Sequence, residues 1–210
     1  MAYRVVCISA NDGAGSAEVA AEVGRELGFR VVDEAIVARA AEQAGVEAHV
    51  VASVEERKSL LHRLLEDLGS NTGVSSLAVG GGFIPPGDDR PTSEELRAVI
   101  RAAIEETADR GDAVIVAHAA SFALAERNDV LRVLVTASPA SRAARVAADR
   151  GCSDDEAARA VKDSDAARAS YLERFYGVSP ELPSHYDLVV CTDRLSPEQA
   201  AALVVHAASA

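Results

Sequence analysis

Two clusters of residues in this chain have the types and spacing that phosphate chemistry needs. The first is Asn11-Asp12-Gly13-Ala14-Gly15-Ser16-Ala17, a glycine turn directly after the apolar run Arg4-Val5-Val6-Cys7-Ile8-Ser9. An amphipathic run from Ser16 to Leu27 follows it. A strand, a tight glycine turn and a helix N-terminus together make an anion site, because backbone N–H groups point outward there and the helix dipole favours negative charge. Asn11, Gly13, Ala14, Gly15, Ser16 and Ala17 are therefore the candidate phosphate-binding positions. The usual phosphate-loop spacing is G-x-x-x-x-G-K-S/T. With Gly15 as its second glycine, the lysine falls at Ser16, the magnesium-binding hydroxyl at Ala17 and the first glycine at Ala10. The scaffold of such a loop is kept, and two of its chemical groups are not.

The second cluster is cationic. Arg142, Arg145, Arg150, Arg159, Lys162, Arg168 and Arg174 lie between Ser138 and Tyr176. Arg142 and Arg145 are spaced i, i+3 and share a helix face, as do Asp165 and Arg168. Two helices joined at Gly151-Cys152 would form a hairpin with cations on its inner side. Phosphoryl transfer needs such groups, since positioned guanidinium ions stabilise the charge that spreads over the transferred oxygens. The plainer alternative is a solvated hairpin whose arginines pair with Asp149, Asp154, Asp155, Glu156 and Asp163.

These clusters need elements to hold them. Tyr3–Ser9 reads as a first strand, Phe29–Val32 as a brief apolar run, and 33–44 and 54–68 as helical stretches. Gly69–Pro91 is rich in Gly, Ser, Pro and Asp and reads as a mobile surface loop, or else a substrate-closing segment or a dimer arm. Thr92 and Glu95 form a capping box for a helix that Gly111 stops. Asp112–His118 and Val130–Thr136 read as strands, with a short helix between them. Ser138-Pro139 opens a helix to Arg150, and Ser153 with Glu156 caps a long one to about Tyr176. Leu188–Thr192 is the last strand, and Ser196-Pro197 opens the C-terminal helix. Apolar strands joined mostly by helices call for an α/β fold, a parallel sheet covered on both faces. Ligands of such sheets sit beyond the carboxyl ends of the strands, where the glycine turn lies.

Some single residues have two readings. His118 closes a buried strand, either as a packed histidine or as a phosphate or base contact. Asp33 follows the second strand and either contacts an acceptor or metal or caps the next helix. Asp12 would repel an anion in the loop unless a cation offsets it. Tyr171 and Tyr176 read as packing rather than stacking a base, and Asp187 as a cap or turn. His49, His62, His185 and His206 have no metal-ligand spacing.

Composition narrows the class further. A chain of 210 residues suits one domain, 1–210, and 49% hydrophobic residues suffice for a full core. With 4% aromatics and no Trp, that core must be built from Ala, Val, Leu and Ile. The net charge of −12 argues against a nucleic-acid polymer as partner, though not against a mononucleotide met by a few local arginines. Cys7 and Cys191 lie in apolar strand patterns and read as buried thiols. No signal segment or apolar run of about 18 residues is present, so a cytoplasmic protein with no membrane partner is expected.

Taken together, these residues resemble the cytidylate kinase-like family. The likenesses are Ile8-Ser9-Ala10-Asn11-Asp12-Gly13-Ala14-Gly15-Ser16-Ala17-Glu18, Val114-Ile115-Val116-Ala117-His118, and the R-x-x-R of Arg142 and Arg145. They continue with the D-x-x-R of Asp165 and Arg168, Tyr171-Leu172-Glu173-Arg174-Phe175-Tyr176-Gly177, and Tyr186-Asp187-Leu188-Val189-Val190-Cys191-Thr192-Asp193. The resemblance implies a three-layer α/β/α core with a five-stranded parallel sheet, and a helical lid at 138–177. It implies transfer of the γ-phosphoryl of ATP, with Mg²⁺, to a pyrimidine nucleoside monophosphate. Arg142, Arg145, Asp165 and Arg168 would then be catalytic, and Asp33 and His118 would face the acceptor. The departures are Ala10 for the loop arginine, Ser16 and Ala17 in the loop, and His118 for an arginine after the third strand. They leave a second expectation open, a non-catalytic nucleotide-, anion- or protein-binding relative. The acidic, alanine-rich surface and the Gly69–Pro91 segment are compatible with a homodimer.

Overall fold

The computed structural model describes residues 3–33, 93–116 and 119–210. The helical stretches expected over 33–44 and 54–68, the segment 69–91, the Thr92 cap and His118 lie outside the described residues, Asp33 excepted. The described elements run β1 (Val5–Ala10), α1 (Ser16–Leu27), β2 (Arg30–Val32), α2 (Ser93–Arg110), β3 (Ala113–Ile115) and α3 (Ala120–Ala123). Then come β4 (Val130–Thr136), α4 (Pro139–Arg150), α5 (Asp154–Tyr176), a 3₁₀ turn (Pro183–His185), β5 (Leu188–Cys191) and α6 (Pro197–Ser209).

The five strands form one parallel sheet in the order β2-β3-β1-β4-β5. β1 is central, paired at Val5 with both Ala113 of β3 and Val130 of β4. That position explains its uninterrupted apolar sequence, because side chains of a central strand are buried on both faces. They alternate as a strand requires. Val6 and Ile8 point into a core made with Val133, Val135, Val19, Val23, Ala200, Ala201 and Val204, beneath α1 and α6. Val5 and Cys7 point the other way, against Ile104 and Ala108 of α2 and Leu124 after α3. Alanines on α1 and α6 let those helices lie close to the sheet, which is how a core with so few aromatics fills.

The helix starts follow their sequence signals. Ser138 accepts from Ser141 N with Pro139 in the first turn, and Ser153–Glu156 and Ser196–Gln199 are reciprocal capping boxes. α4 and α5 form the expected hairpin, joined by apolar contact among Val146, Ala157 and Val161. Tyr171 packs in an aromatic cluster with Phe122, Phe175 and Tyr176. One expectation fails. Cys7 is buried, but Cys191 is exposed. It lies on β5, an edge strand on which Val190 faces the core while Val189 and Cys191 face outward.

β5 is fixed to β4 by an ion pair at its entry. Asp187 N donates to Arg132 O at 2.8 Å, and the Asp187 carboxylate accepts from Arg132 N, Nε and a terminal guanidinium nitrogen at 2.8, 3.0 and 2.7 Å. The Arg132 side-chain hydrogen bonds hold the Asp187 carboxyl below the usual carboxylate range, against the opposing effect of partial burial. A carboxylate shifted this way stabilises the fold above its unfolded value of about 3.9, and the contribution is lost as pH falls through the lower folded value. Asp187→Asn should therefore lower the urea midpoint at pH 7, with the difference from wild type shrinking towards pH 2. A difference independent of pH would show that the pair does not set this acid response.

Candidate functional site

The turn between β1 and α1 is shaped by two glycines with left-handed backbone, Gly13 at φ +75° and Gly15 at φ +78°. L-residues with a Cβ resist that region, so glycine is required for the chain to turn this sharply. Gly15 is the N-cap of α1, and no side chain caps the helix there. The first-turn amides of a helix need partners, and an uncapped start at the carboxyl end of a central strand is suited to an anion.

The loop is held through its oxygens, residue by residue. Asn11 Oδ1 accepts from Thr136 Oγ1 at 2.9 Å, and Asn11 Nδ2 donates to Asp165 Oδ1 at 3.2 Å. Asp12 O receives a terminal N–H of Arg142 at 3.4 Å. Gly13 O receives one from Arg145 at 3.2 Å. Ala14 O receives Thr192 Oγ1 at 2.8 Å. Four consecutive residues are thus tied to α4, α5 and the ends of β4 and β5. With these oxygens fixed from that side, and Ala14 N donating to Asn11 O at 3.0 Å, the other loop amides are the candidates to meet a ligand.

The two arginines spaced i, i+3 do share a face, and both guanidinium groups are engaged by protein oxygens. Arg142 is 4% exposed and pairs through both terminal nitrogens with Asp165, at 2.8 and 2.6 Å, while its Nε donates to Ala137 O at 3.2 Å. Arg145 also donates to Thr192 Oγ1 at 2.9 Å and Thr192 O at 2.5 Å. The structure therefore brings Asn11, Gly13, Ala14, Arg142, Arg145 and Asp165 together. Thr192 joins them, which the spacing of arginines and glycines alone did not indicate; its sequence signals are its place at the end of the Leu188–Thr192 run and within the likeness Tyr186–Asp193. Asp12 is offset by Arg150, whose guanidinium lies 2.8 Å from Asp12 Oδ2.

Arg168 stands one helical turn beyond Asp165 on α5. Glu181 accepts from it in a bidentate pair at 2.8 and 2.7 Å, and Tyr186 Oη accepts from it at 3.1 Å. The Tyr186 phenol in turn donates to Glu181 Oε1 in a short bond. Burial alone would raise the Glu181 carboxyl, but the Arg168 pairing more than offsets it and leaves it lowered. Burial and the Glu181 bond push the Tyr186 phenol up. Phe122 packs against Tyr176, His185 and Tyr186, with ring centroids 5.6, 5.8 and 5.8 Å away. A buried hydroxyl pair, Ser9 with Ser121 at 3.0 Å, joins β1 to α3 beside the loop. Asp33 is exposed at the end of β2, two strands from the loop in the same sheet.

The residues fit a phosphate group better than a metal–nucleotide complex. The backbone turn suits phosphate oxygens. A magnesium ion would find methyl at Ala17 where the phosphate-loop spacing has a hydroxyl, and no cluster of three or more His, Cys, Asp or Glu suited to a metal exists among the described residues.

Comparison with known proteins bears on the family and the fold. The model of the cytidylate kinase-like family matches residues 5–194. A cytidylate kinase from Ignicoccus hospitalis is 30% identical over 195 residues, 92% of each chain. Among solved structures, an uncharacterized protein from Eubacterium ventriosum aligns with a TM-score of 0.65 at 12% identity, covering 97% of both chains. A shikimate kinase from Bacteroides thetaiotaomicron aligns with a TM-score of 0.55 at 13% identity, covering 98% of both. Identities this low speak to fold alone, and the fold shared with that shikimate kinase is the parallel sheet with its flanking helices.

Proposed function

Because the chain belongs to the cytidylate kinase-like family, we propose that its glycine loop holds the phosphates of a nucleotide and that the protein transfers a phosphoryl group from ATP to a pyrimidine nucleoside monophosphate. The observation that carries this reading is the uncapped helix start at Gly15, at the end of the central strand, in a loop whose carbonyls are tied away by Arg142, Arg145 and Thr192. In this reading Arg142, Arg145 and Asp165 are positioning residues. Arg168 meets a phosphate, Asp33 and His118 face the acceptor, and the α4–α5 hairpin is a lid. ATP would supply the transferred group, and Ala17 offers a magnesium ion on its phosphates no hydroxyl.

A second reading has its own support. Ser16 and Ala17 carry neither the ammonium nor the hydroxyl of a complete phosphate loop, and Arg142 and Arg145 already satisfy protein oxygens. Losing one transition-state donor costs on the order of 10²–10³ in rate. A protein that binds nucleotide and turns it over poorly, or not at all, fits those facts.

Calorimetry with ATP·Mg²⁺, CMP and dCMP, followed by a coupled ADP-release assay, separates the readings. Binding with turnover is the expected result of the first. Binding without turnover favours the second, and no binding of any of these at millimolar concentration would overturn both.

A further inference from the structure

Arg168 is the cation of this site whose present partner is itself an anion on a separate surface segment. Arg142 and Arg145 reach backbone oxygens and so are built into the loop. Among the described residues Arg168 reaches none; its bonds there go to Glu181 and Tyr186, in the connection between α5 and β5. That connection carries an exposed leucine, Leu182, beside the glutamate. The Arg168 and Glu181 side chains are 14% and 20% exposed, so the guanidinium is too buried to stand alone, and its carboxylate partner is carried by the connection rather than by α5. A carboxylate in bidentate contact presents the same paired oxygens to arginine as a phosphate does.

The place is also right. Asp165, one turn back on the same face of α5, touches Asn11 of the loop and the Arg142 that holds Asp12. Tyr186, on the other side of Arg168, lies against Phe122 of α3, whose neighbour Ser121 bonds Ser9 at the base of the loop.

We propose that Glu181 is a resident counter-anion, occupying on Arg168 the position of a terminal phosphoryl group and exchanged for it when ligand binds. This rests on the nucleotide reading above for the identity of the ligand, but not for the exchange itself. Tyr186 is a positioning residue here: its phenol bonds both partners and holds Glu181 on the guanidinium. The consequence is a threshold. An anion must outcompete an internal carboxylate, so weak monoanions are refused, and Arg168 is never left buried without a partner.

The test uses the full chain with inorganic phosphate and CMP as probes. The apparent affinity of a site scales with the fraction of time it is open. If Glu181 leaves Arg168 open about one-tenth of the time, Glu181→Gln should raise phosphate affinity about ten-fold. The same variant should melt earlier without phosphate and show a larger phosphate-dependent rise in midpoint than wild type. Arg168→Ala with Glu181→Gln should abolish both gains. Tyr186→Phe, which keeps the ring packing, should give a smaller gain, and it carries the test if Glu181→Gln does not fold. Unchanged or weaker phosphate affinity in the folded variants would overturn the proposal and leave the pair a structural clamp. Amide NMR shifts of Gly13 and Gly15 with ATP·Mg²⁺ report separately on the loop. Loop shifts without the Glu181→Gln gain would sink this inference alone, and the gain without loop shifts would sink the nucleotide reading alone.

Discussion

Arg142→Ala is expected to destabilise the protein by about 3 kcal/mol even without ligand, the lower end of the cost of breaking a buried ion pair. For a chain of this length that corresponds to a fall of roughly 6–12 °C in the thermal midpoint. The argument is one of stranded partners. The guanidinium is almost wholly buried and serves Asp165, Ala137 O and Asp12 O together. Its removal leaves a carboxylate that is still partly wet, which is why the low end of the range applies, and two carbonyls without that donor. Arg142→Lys should recover less than half of the loss, since one ammonium cannot reproduce the two parallel bonds to Asp165. An arginine kept only to meet a ligand would behave in the opposite way, with unchanged or improved stability in the ligand-free protein. Thermal unfolding of the two variants decides between them.

Gly13→Ala should be the most damaging single methyl in the loop. The position has φ +75°, and a Cβ there would lie 2.6 Å from the Arg142 carbonyl oxygen and 3.0 Å from Val146 Cγ2. That carbonyl belongs to the α4 backbone, which cannot yield as a flexible side chain can. Left-handed strain of about 1–2 kcal/mol adds to an overpacking cost of about 1–3 kcal/mol, and the loop must withdraw from α4. Gly15→Ala is the control. Its φ is +78°, but its Cβ would meet nothing closer than Glu18 Oε2 at 3.8 Å. It should pay the strain alone, about 1–2 kcal/mol. Equal midpoints for the two variants would show that the close approach to α4 does not matter. A larger loss for Gly13→Ala, accompanied by loss of phosphate binding, is the expected result.

What was legible in the sequence depended on whether the signal was local. The starts of α4, α5 and α6 carry serine caps within a few residues of the turns they close, and each begins where those residues place it. β1 and β4 are long apolar runs and were equally plain. Within the run Asp112–His118, β3 itself is Ala113–Ile115, and Asp112 O and Val116 N also bond β2 at Arg30 N and Val32 O, at 3.0 and 2.8 Å, because an apolar run marks burial rather than the ends of a strand. Cys191 was misread for a related reason. Its neighbours are apolar, but whether a strand is central or at an edge is decided by partners far along the chain.

The site shows the same division. Spacing indicated that Arg142 and Arg145 share a face, and that Gly13 and Gly15 make a turn. It did not indicate that the arginines end on the loop's own carbonyls, since helical periodicity specifies a face and not what the face meets. Glu181 and Tyr186 carried no signal at all as partners of Arg168. Glu181 lies in a stretch with no motif, the likeness that Tyr186 opens names no partner for it, and their shared role exists only because that segment returns to α5.

The bond from Thr192 to the Ala14 carbonyl spans 178 residues. During synthesis the glycine loop emerges long before this tie to it does. At about 5–20 residues per second the loop waits roughly 10–35 s for that tie. The ligand site is therefore not complete until β5 has been made, and a chain cut short before β5 would display the loop sequence without this means of holding its shape.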